Sequence, residues 1–222
     1  MNAGEARSRL FGLLGECFTY PDAEFVAAVA DGSLAALLAT LCDAIDPRLR
    51  AGLDLAPLAD PALQLEALAV EYTRLFDAGA RGTGCPLNGG LQVGPQMKVM
   101  EEAVRFYNHF GLTLAEDRKE LPDHLTTELE FLHFLGAGQQ ALAARGEPVL
   151  AYELAQRDFI ARHPGRWVPV MRGKLAALQP LPFFLALTDL LARLLAHELA
   201  RLQAAHGEAS LKVSGDLPFG GA

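Results

Sequence analysis

The sequence predicts an all-α fold: a single globular, bundle-like helical domain of about eight to nine helices arranged in two halves. Three observations carry this. Leu and Ala supply about a third of the chain, while Ile occurs only at Ile45 and Ile160. Ala and Leu lead the helix scale, and β-branched residues favour sheets. Pro, Gly and Asp break the chain at helical lengths, and no segment reads as a convincing strand or as a 20–50-residue repeat. With 222 residues, 51% of them apolar, the chain can bury about 70% of its unfolded surface without a disulfide or metal.

The elements follow in order. A first helix runs from about Ala3 to Thr19 and stops at Tyr20-Pro21. A second spans Asp22 to Ala30 and ends at Asp31-Gly32. Ser33 is a fair cap for a third, Leu34 to Ile45. Residues 46–59, punctuated by Pro, Gly and Asp, read as mostly loop. Asp60-Pro61 opens a strong helix, Asp as cap and Pro at its first position, with Leu65, Leu68, Tyr72, Leu75 and Phe76 at helical spacing. Residues 77–95 hold six of the 21 glycines and read as a long loop, a length that is usually functional or disordered. A helix resumes from Pro95 to Phe110 and is closed by Gly111. A charged connection, residues 113–122, separates an N-terminal half of about 1–112 from a C-terminal half, 123–206. Helices follow at Asp123–Ala144, Pro148–Arg162 and Arg166–Leu178. The last long one, to about Ala205, starts after Pro180 and Pro182, with Asp189 and Arg193 four apart to pair. The tail, 207–222, reads as loose.

The net charge is −8, the wrong sign for a nucleic-acid binder and the right one for a basic partner or for solubility. Three separated cysteines, Cys17, Cys42 and Cys85, contain no C-x-x-C and suit a reducing cytoplasm. The N-terminus has no signal-peptide pattern. The most apolar run, Leu181–Leu195, is too short to span a bilayer, so no membrane insertion is expected.

Nucleophilic hydrolysis lacks a G-x-S-x-G, and Cys85 sits in a flexible loop with no cue for a base. Gly79, Gly82 and Gly84 follow a helix rather than a strand, and Asn88-Gly89-Gly90 is not followed by Lys-Ser/Thr. The loop is therefore no phosphate-binding P-loop, although weak nucleotide contact stays open. Glu130 and His133 form one Glu-x-x-His where helical di-iron sites use two. In residues 119–136, Asp123 falls in the first helical turn, favoured by the helix dipole. His124 and Glu128 share a face. Asp123, Thr127 and Glu130 form a polar stripe beside it, and Leu125, Leu129 and Leu132 face inward. An ordinary capped amphipathic helix fits that spacing too.

Larger blocks occur in a fixed order: Glu71-Tyr72-Thr73-Arg74-Leu75-Phe76, a Pro-containing loop, Tyr107-(x3)-Gly111-Leu112, and Glu120-Leu121-Pro122-Asp123-His124-Leu125. Glu128-Leu129-Glu130-Phe131 and Phe159-(x3)-His163-(x3)-Trp167 complete the series. In this the chain, over roughly residues 10–200, resembles the TorD/DmsD-type chaperones that mature molybdenum redox enzymes. The resemblance implies an all-helical, non-catalytic, cytoplasmic protein with no cofactor of its own. It implies binding to the apo catalytic subunit of a molybdopterin enzyme and to its twin-arginine leader, and guarding of cofactor insertion before export. It leaves room for weak contact with a nucleotide or the molybdenum cofactor. Peptide-binding roles carry over to Tyr72, Leu75, Phe76, Asp123 and His124, with Pro86 as the loop proline. Asp123, with Glu128 or Glu130, is expected to pair with a leader arginine. Tyr72, Leu75 and Phe76 either line an apolar groove or belong to the core. The family's loop aromatics are replaced by Gly-Thr-Gly-Cys-Pro-Leu-Asn-Gly-Gly, which points to a client of the dimethylsulfide-, ethylbenzene-, chlorate- or selenate-type subgroup. The alternatives are a helical metal-dependent enzyme using Glu130 and His133, and an adaptor for a partner that is not exported.

Overall fold

Asn2 and Glu5 close a reciprocal capping box at the start of α1 (Ala3–Cys17), satisfying two of the N–H groups a helix start leaves without partners. The computed structural model describes residues 1–77, 84–114 and 120–209. After α1 come α2 (Ala23–Ala30), α3 (Ser33–Ile45), 3-10 turns at Pro47–Arg50 and Ala56–Ala59, and α4 (Leu65–Phe76). The short α5 (Gly89–Val93) precedes α6 (Gln96–His109), α7 (Leu125–Ala144), α8 (Leu150–Arg162), α9 (Pro164–Ala177) and α10 (Pro182–His206). The fold is all-α. Among the described residues extended pairing is limited to one isolated bridge, Asn88 with His124.

Several boundaries differ from those read in the sequence, each for a local reason. Gly32, in the left-handed region, takes the cap position of α3, and Ser33 becomes its first helical residue. Asp60 accepts from the N–H of Ala62 and closes a turn, so α4 starts only at Leu65. The stretch 46–59 contains the two 3-10 turns, the first capped by Asp46. In α7 the cap is His124, whose ring accepts from the N–H of Thr126. Asp123 thus lies before the helix, not in its first turn. Asp189 pairs with Arg172 at 2.7 Å instead of Arg193, and Arg193 donates to the Ala51 carbonyl. The first glycines of the 77–95 loop, the centre of the charged connection and most of the tail lie outside the described residues.

α1 packs along α7, while α10 packs against α9, α8 and α1. Phe183, Phe184, Leu187, Leu190, Leu191, Leu194, Leu195 and Leu202 of α10 are buried, at the spacings of three and four that put side chains on one helix face. One carboxylate joins that buried face. Glu198 is held by Arg201 at 2.9 Å, His197 at 3.1 Å and Arg7 of α1 at 3.4 Å. Burial alone raises its pKa; the three cationic partners outweigh burial and hold it below the usual carboxylate range. Among the described residues no single helix is long and apolar enough to cross a membrane.

Candidate functional site

The residues just before α7 are fixed by a chain segment more than thirty positions upstream. Asp123 is fully buried. Its Oδ2 accepts from the Gly90 N–H at 2.8 Å and its Oδ1 from the Asn88 amide at 3.2 Å. Its backbone carbonyl accepts from the Gly89 N–H at 2.8 Å, and the Leu125 N–H donates to the Leu87 carbonyl at 2.8 Å. Asn88-Gly89-Gly90 is therefore a docked strap that starts α5. A side chain at Gly89 would stand 2.7 Å from Trp167 Nε1, and one at Gly90 would stand 2.5 Å from the Gln96 Cα. Only glycine permits so close an approach. Cys85 is likewise buried, not on a flexible loop: its N–H donates to the Leu75 carbonyl, and burial pushes its thiol up to about 11.

Beneath the strap lies a polar node. Trp167 Nε1 donates to Glu128 Oε2 at 2.8 Å. His163 Nδ1 stands 3.7 Å from Glu128 Oε1, with its ring stacked on Phe159. Both ionisable groups are pushed toward neutrality by burial. The Glu128 carboxyl rises well above its usual range, against the pull of the Trp167 bond and with a further push from Asp123. His163 falls to about 3, helped by Arg162 and Arg166. His124 is half-buried; its Nδ1 lies 2.7 Å from Thr126 Oγ1. Burial lowers its pKa, and Glu120 and Asp123 pull the other way.

The Glu-Tyr-Thr-Arg-Leu-Phe block of α4 does structural work. Glu71 holds Arg74 at 2.6 Å and accepts from the Leu181 N–H at 2.8 Å, which ties α4 to the start of α10. Tyr72 donates to the Phe18 carbonyl and packs edge-on against Tyr20 and Phe76. Leu75 and Phe76 are core residues. Pro86 is half-buried and its carbonyl accepts from the Gln92 amide at 2.7 Å.

An open groove of about 340 Å³ lies between the end of α6 and α7, with Leu112, Leu114, Phe131 and Phe134 as apolar lining and Glu120 and Glu130 as acidic lining. Tyr107, also in its wall, donates to the Pro122 carbonyl at 2.7 Å and ties the groove to the residues before α7.

Of the residues singled out in the sequence, the structure brings Asp123, His124 and Glu128 together with the strap and Trp167, and places Glu130 in the groove. It puts Tyr72 and Phe76 in a separate aromatic cluster with Phe18 and Phe184, and Leu75 in the core. Asp123 and Glu128 present no carboxylate to solvent, because their oxygens are turned to the strap and to Trp167. Glu120 and Glu130, by contrast, are exposed. His133 Nδ1 lies 2.8 Å from the Ser8 carbonyl of α1, while Glu130 lines the groove. No group of three or more His, Cys, Asp or Glu with metal-holding geometry occurs among the described residues. Sequence reasoning missed the Asn88-Gly89-Gly90 strap, the groove residues Leu112, Leu114 and Phe134, and the Trp167–Glu128 bond. The single tryptophan and the paired glycines were the available signs.

A family model described as nitrate reductase delta subunit matches residues 28–172, a span that holds the strap, the buried node and the groove. The chain is 33% identical over 192 residues to a perchlorate reductase assembly chaperone protein of Dechloromonas aromatica, covering 85% of this chain and 86% of the relative. It is 38% identical over 124 residues to a chlorate reductase assembly chaperone protein of Ideonella dechloratans, covering 55% and 64%. A selenate reductase assembly chaperone protein of Thauera selenatis is 39% identical over 123 residues, covering 54% and 63%.

Proposed function

The chain belongs to the nitrate reductase delta subunit family, and on that premise we propose that it is an assembly chaperone for the catalytic subunit of a molybdenum redox enzyme and catalyses nothing itself. The names of its relatives favour a client among reductases of oxyanions such as chlorate or selenate. It works in the cytoplasm, where it binds the apo subunit through the twin-arginine leader and holds it until the cofactor is in place.

The observation that carries the leader reading is the groove, which sets Glu120 and Glu130 beside Leu112, Leu114, Phe131 and Phe134. A twin-arginine leader has the complementary order of parts, a cationic pair followed by a short apolar helix. Its arginine forks suit the two carboxylates, and its apolar side chains suit the aromatic lining. Asp123, Glu128 and Trp167 act one step back. They fix the strap and the start of α7, and so hold Glu130 and Phe131 in place. Three or four leader side chains at ~1.5–3 kcal/mol each give a gross ~5–12 kcal/mol. Ordering the peptide costs ~2–5 kcal/mol or more. The net suits a reversible complex, micromolar or weaker, since ~8 kcal/mol corresponds to 1 μM. A chaperone that must let its client go needs no more.

The test has two parts. Affinity capture from the host is expected to recover a molybdopterin catalytic subunit with an arginine pair near its start. A synthetic peptide of that leader is then titrated against wild type, Glu130→Gln, Glu120→Gln and Phe134→Ser. Each rim charge is expected to contribute about three- to fivefold in affinity, the range of an exposed ion pair, and Phe134 more. Capture of a partner with no such arginine pair, or wild-type affinity in all three variants, overturns the leader reading.

A further inference from the structure

The last turn of α1 carries Glu16 and no basic residue, so a carboxylate stands at the helix end where the partial charge is already negative. That end opens on a groove of about 440 Å³ between α1, α2 and α3, which Asp22 and Glu24 also line. The charge belongs to the whole segment. From Leu10 to Pro47 the chain holds no Lys, Arg or His, against six carboxylates: Glu16, Asp22, Glu24, Asp31, Asp43 and Asp46. Asp43 and Asp46 are met by Arg50 and Arg48 from beyond the segment. Among the described residues no ion pair is found for Glu16, Asp22 or Glu24, and no cation lines the groove.

The rest of the wall is apolar and held from behind. Leu13, Tyr20, Phe25 and Leu37 line it, with Tyr20 59% and Leu37 39% exposed. The Tyr20 ring meets Tyr72 of α4 edge-on at 5.4 Å, and the Phe25 ring meets Phe183 of α10 edge-on at 5.8 Å. Both rings are thus set before a ligand arrives, which lowers the ordering cost of binding. The leader groove is a separate place. α1 meets α7 through Gly12 and Gly15, which stand beside His133 and Leu129, whereas another face of α7, with Thr127, Glu130 and Phe134, lines the leader groove.

Charge selects the occupant. A two-fold contact between copies of this chain brings the same patch to both sides and would set carboxylates against carboxylates. An anionic lipid surface would be repelled in the same way. A groove between helices accepts the apolar face of an amphipathic helix, and basic side chains flanking that face would meet Glu16, Glu24 and the negative end of α1. We propose that the groove between α1, α2 and α3 docks a cationic amphipathic helix of a partner protein, distinct from the twin-arginine leader. This surface goes beyond the chaperone reading and does not depend on it.

The probe is a synthetic peptide about four helical turns long, with leucine on one face and lysine on the other. The acidic leader groove would take the same probe, so calorimetric titration uses the full chain carrying Glu120→Gln, Glu130→Gln and Phe134→Ser. One saturable site is expected. Adding Glu16→Gln and Glu24→Gln is expected to weaken it about tenfold, as loss of two exposed ion pairs implies. Adding Leu37→Ser instead is expected to weaken it about tenfold through lost apolar burial. Asp22 is left in place because it caps α2. The replaced side chains are exposed, so melting temperatures are expected to stay unchanged. Glu66→Gln with Glu147→Gln, an exposed pair outside the groove, changes the net charge equally and is expected to bind like its parent. Four results overturn the surface: no saturable binding at millimolar peptide, parental affinity in the groove variants, equal weakening by the outside pair, or equally tight binding of a matching leucine–glutamate peptide. Sedimentation of wild type is run alongside, and a dimer that Leu37→Ser dissociates assigns the face to a second copy and also overturns the proposal. The leader titration is repeated on Glu16→Gln, Glu24→Gln in an otherwise native chain and is expected to match wild type. Loss of leader binding there makes this the leader's own groove, which overturns the proposal too. The two grooves are therefore read apart: a failed leucine–lysine titration beside an intact leader titration counts against this surface alone.

Discussion

Asp123 shows how far one side chain's role can lie from its sequence neighbourhood. Its carboxylate sits just before a helix, where local pattern suggests a first-turn charge or an exposed ion-pairing group. The N–H it receives belongs to Gly90, 33 positions upstream, and no periodicity or cap motif encodes that pairing. Replacing Asp123 with Ala leaves the Gly90 N–H and the Asn88 amide facing a buried, empty acceptor position. The expected loss is about 1–3 kcal/mol of folding stability for such an orphaned buried group, read from urea denaturation midpoints. Gly90→Ala attacks the same contact sterically, since its new methyl would stand 2.8 Å from Asp123 Oδ2 and 2.5 Å from the Gln96 Cα. Overpacking of this kind costs about 1–3 kcal/mol. A Gly90→Ala protein as stable as wild type would show that the strap shifts freely. The paired glycines were visible in the sequence, but what they approach was not.

Helical elements were legible where breakers and apolar spacing agreed, as in α2, α6 and α10, because both signals are local. Starts were less so. α3, α4 and α7 are capped by Gly32, Gln64 and His124, whereas Ser33, Asp60 and Pro122-Asp123 carried the stronger local signatures. Turns and tertiary ties use those residues instead. The least legible part is where elements meet: α7 joins the α8–α9 junction through Glu128, Trp167 and His163, three residues the sequence offered only as separate motif letters. That junction makes a pH prediction. Burial raises the folded pKa of Glu128, so folding retains a proton that the unfolded chain releases above its pKa of about 4.3. Stability therefore falls as pH rises from there toward the folded pKa. Burial lowers His163 to about 3, so the unfolded chain takes up a proton below about 6.5 that the folded one refuses. Stability therefore also falls as pH drops from about 6.5 to about 3. Between about 4.3 and 6.5 the two slopes oppose, but the His163 contribution is common to wild type and a Glu128 variant and cancels in their difference. Glu128→Gln keeps an acceptor for Trp167 but cannot ionise. Denaturation of wild type and variant from about pH 4.3 upward is expected to show wild-type stability falling relative to the variant as pH rises. Parallel curves would mean that Glu128 titrates normally.

At the scale of the whole molecule, the sequence yielded the sign of the field but not its arrangement. The chain carries 27 acidic against 19 basic residues, and folding sorts them. Glu120 and Glu130 line the groove at one end of α6, and Lys98, Arg162 and Arg166 gather at the other. On the proposed leader reading, a cationic leader is drawn by the net field before any contact forms, whereas its apolar helix, once seated on Phe131 and Phe134, is retained by burial. Salt acts on these two stages differently. The screening length shrinks from about 10 Å at 0.1 M salt to about 3 Å at 1 M, which removes long-range attraction but leaves apolar contacts in place. The association rate of a twin-arginine leader peptide is therefore expected to fall steeply across that range, while its dissociation rate changes little. Stopped-flow fluorescence with a labelled leader measures both rates. The double variant Glu120→Gln, Glu130→Gln should associate more slowly at low salt and show a shallower salt dependence. Phe134→Ser should associate like wild type and leave faster. If salt instead raises the dissociation rate and spares association, the peptide is held chiefly by charge, and the apolar lining of the groove is not what retains it.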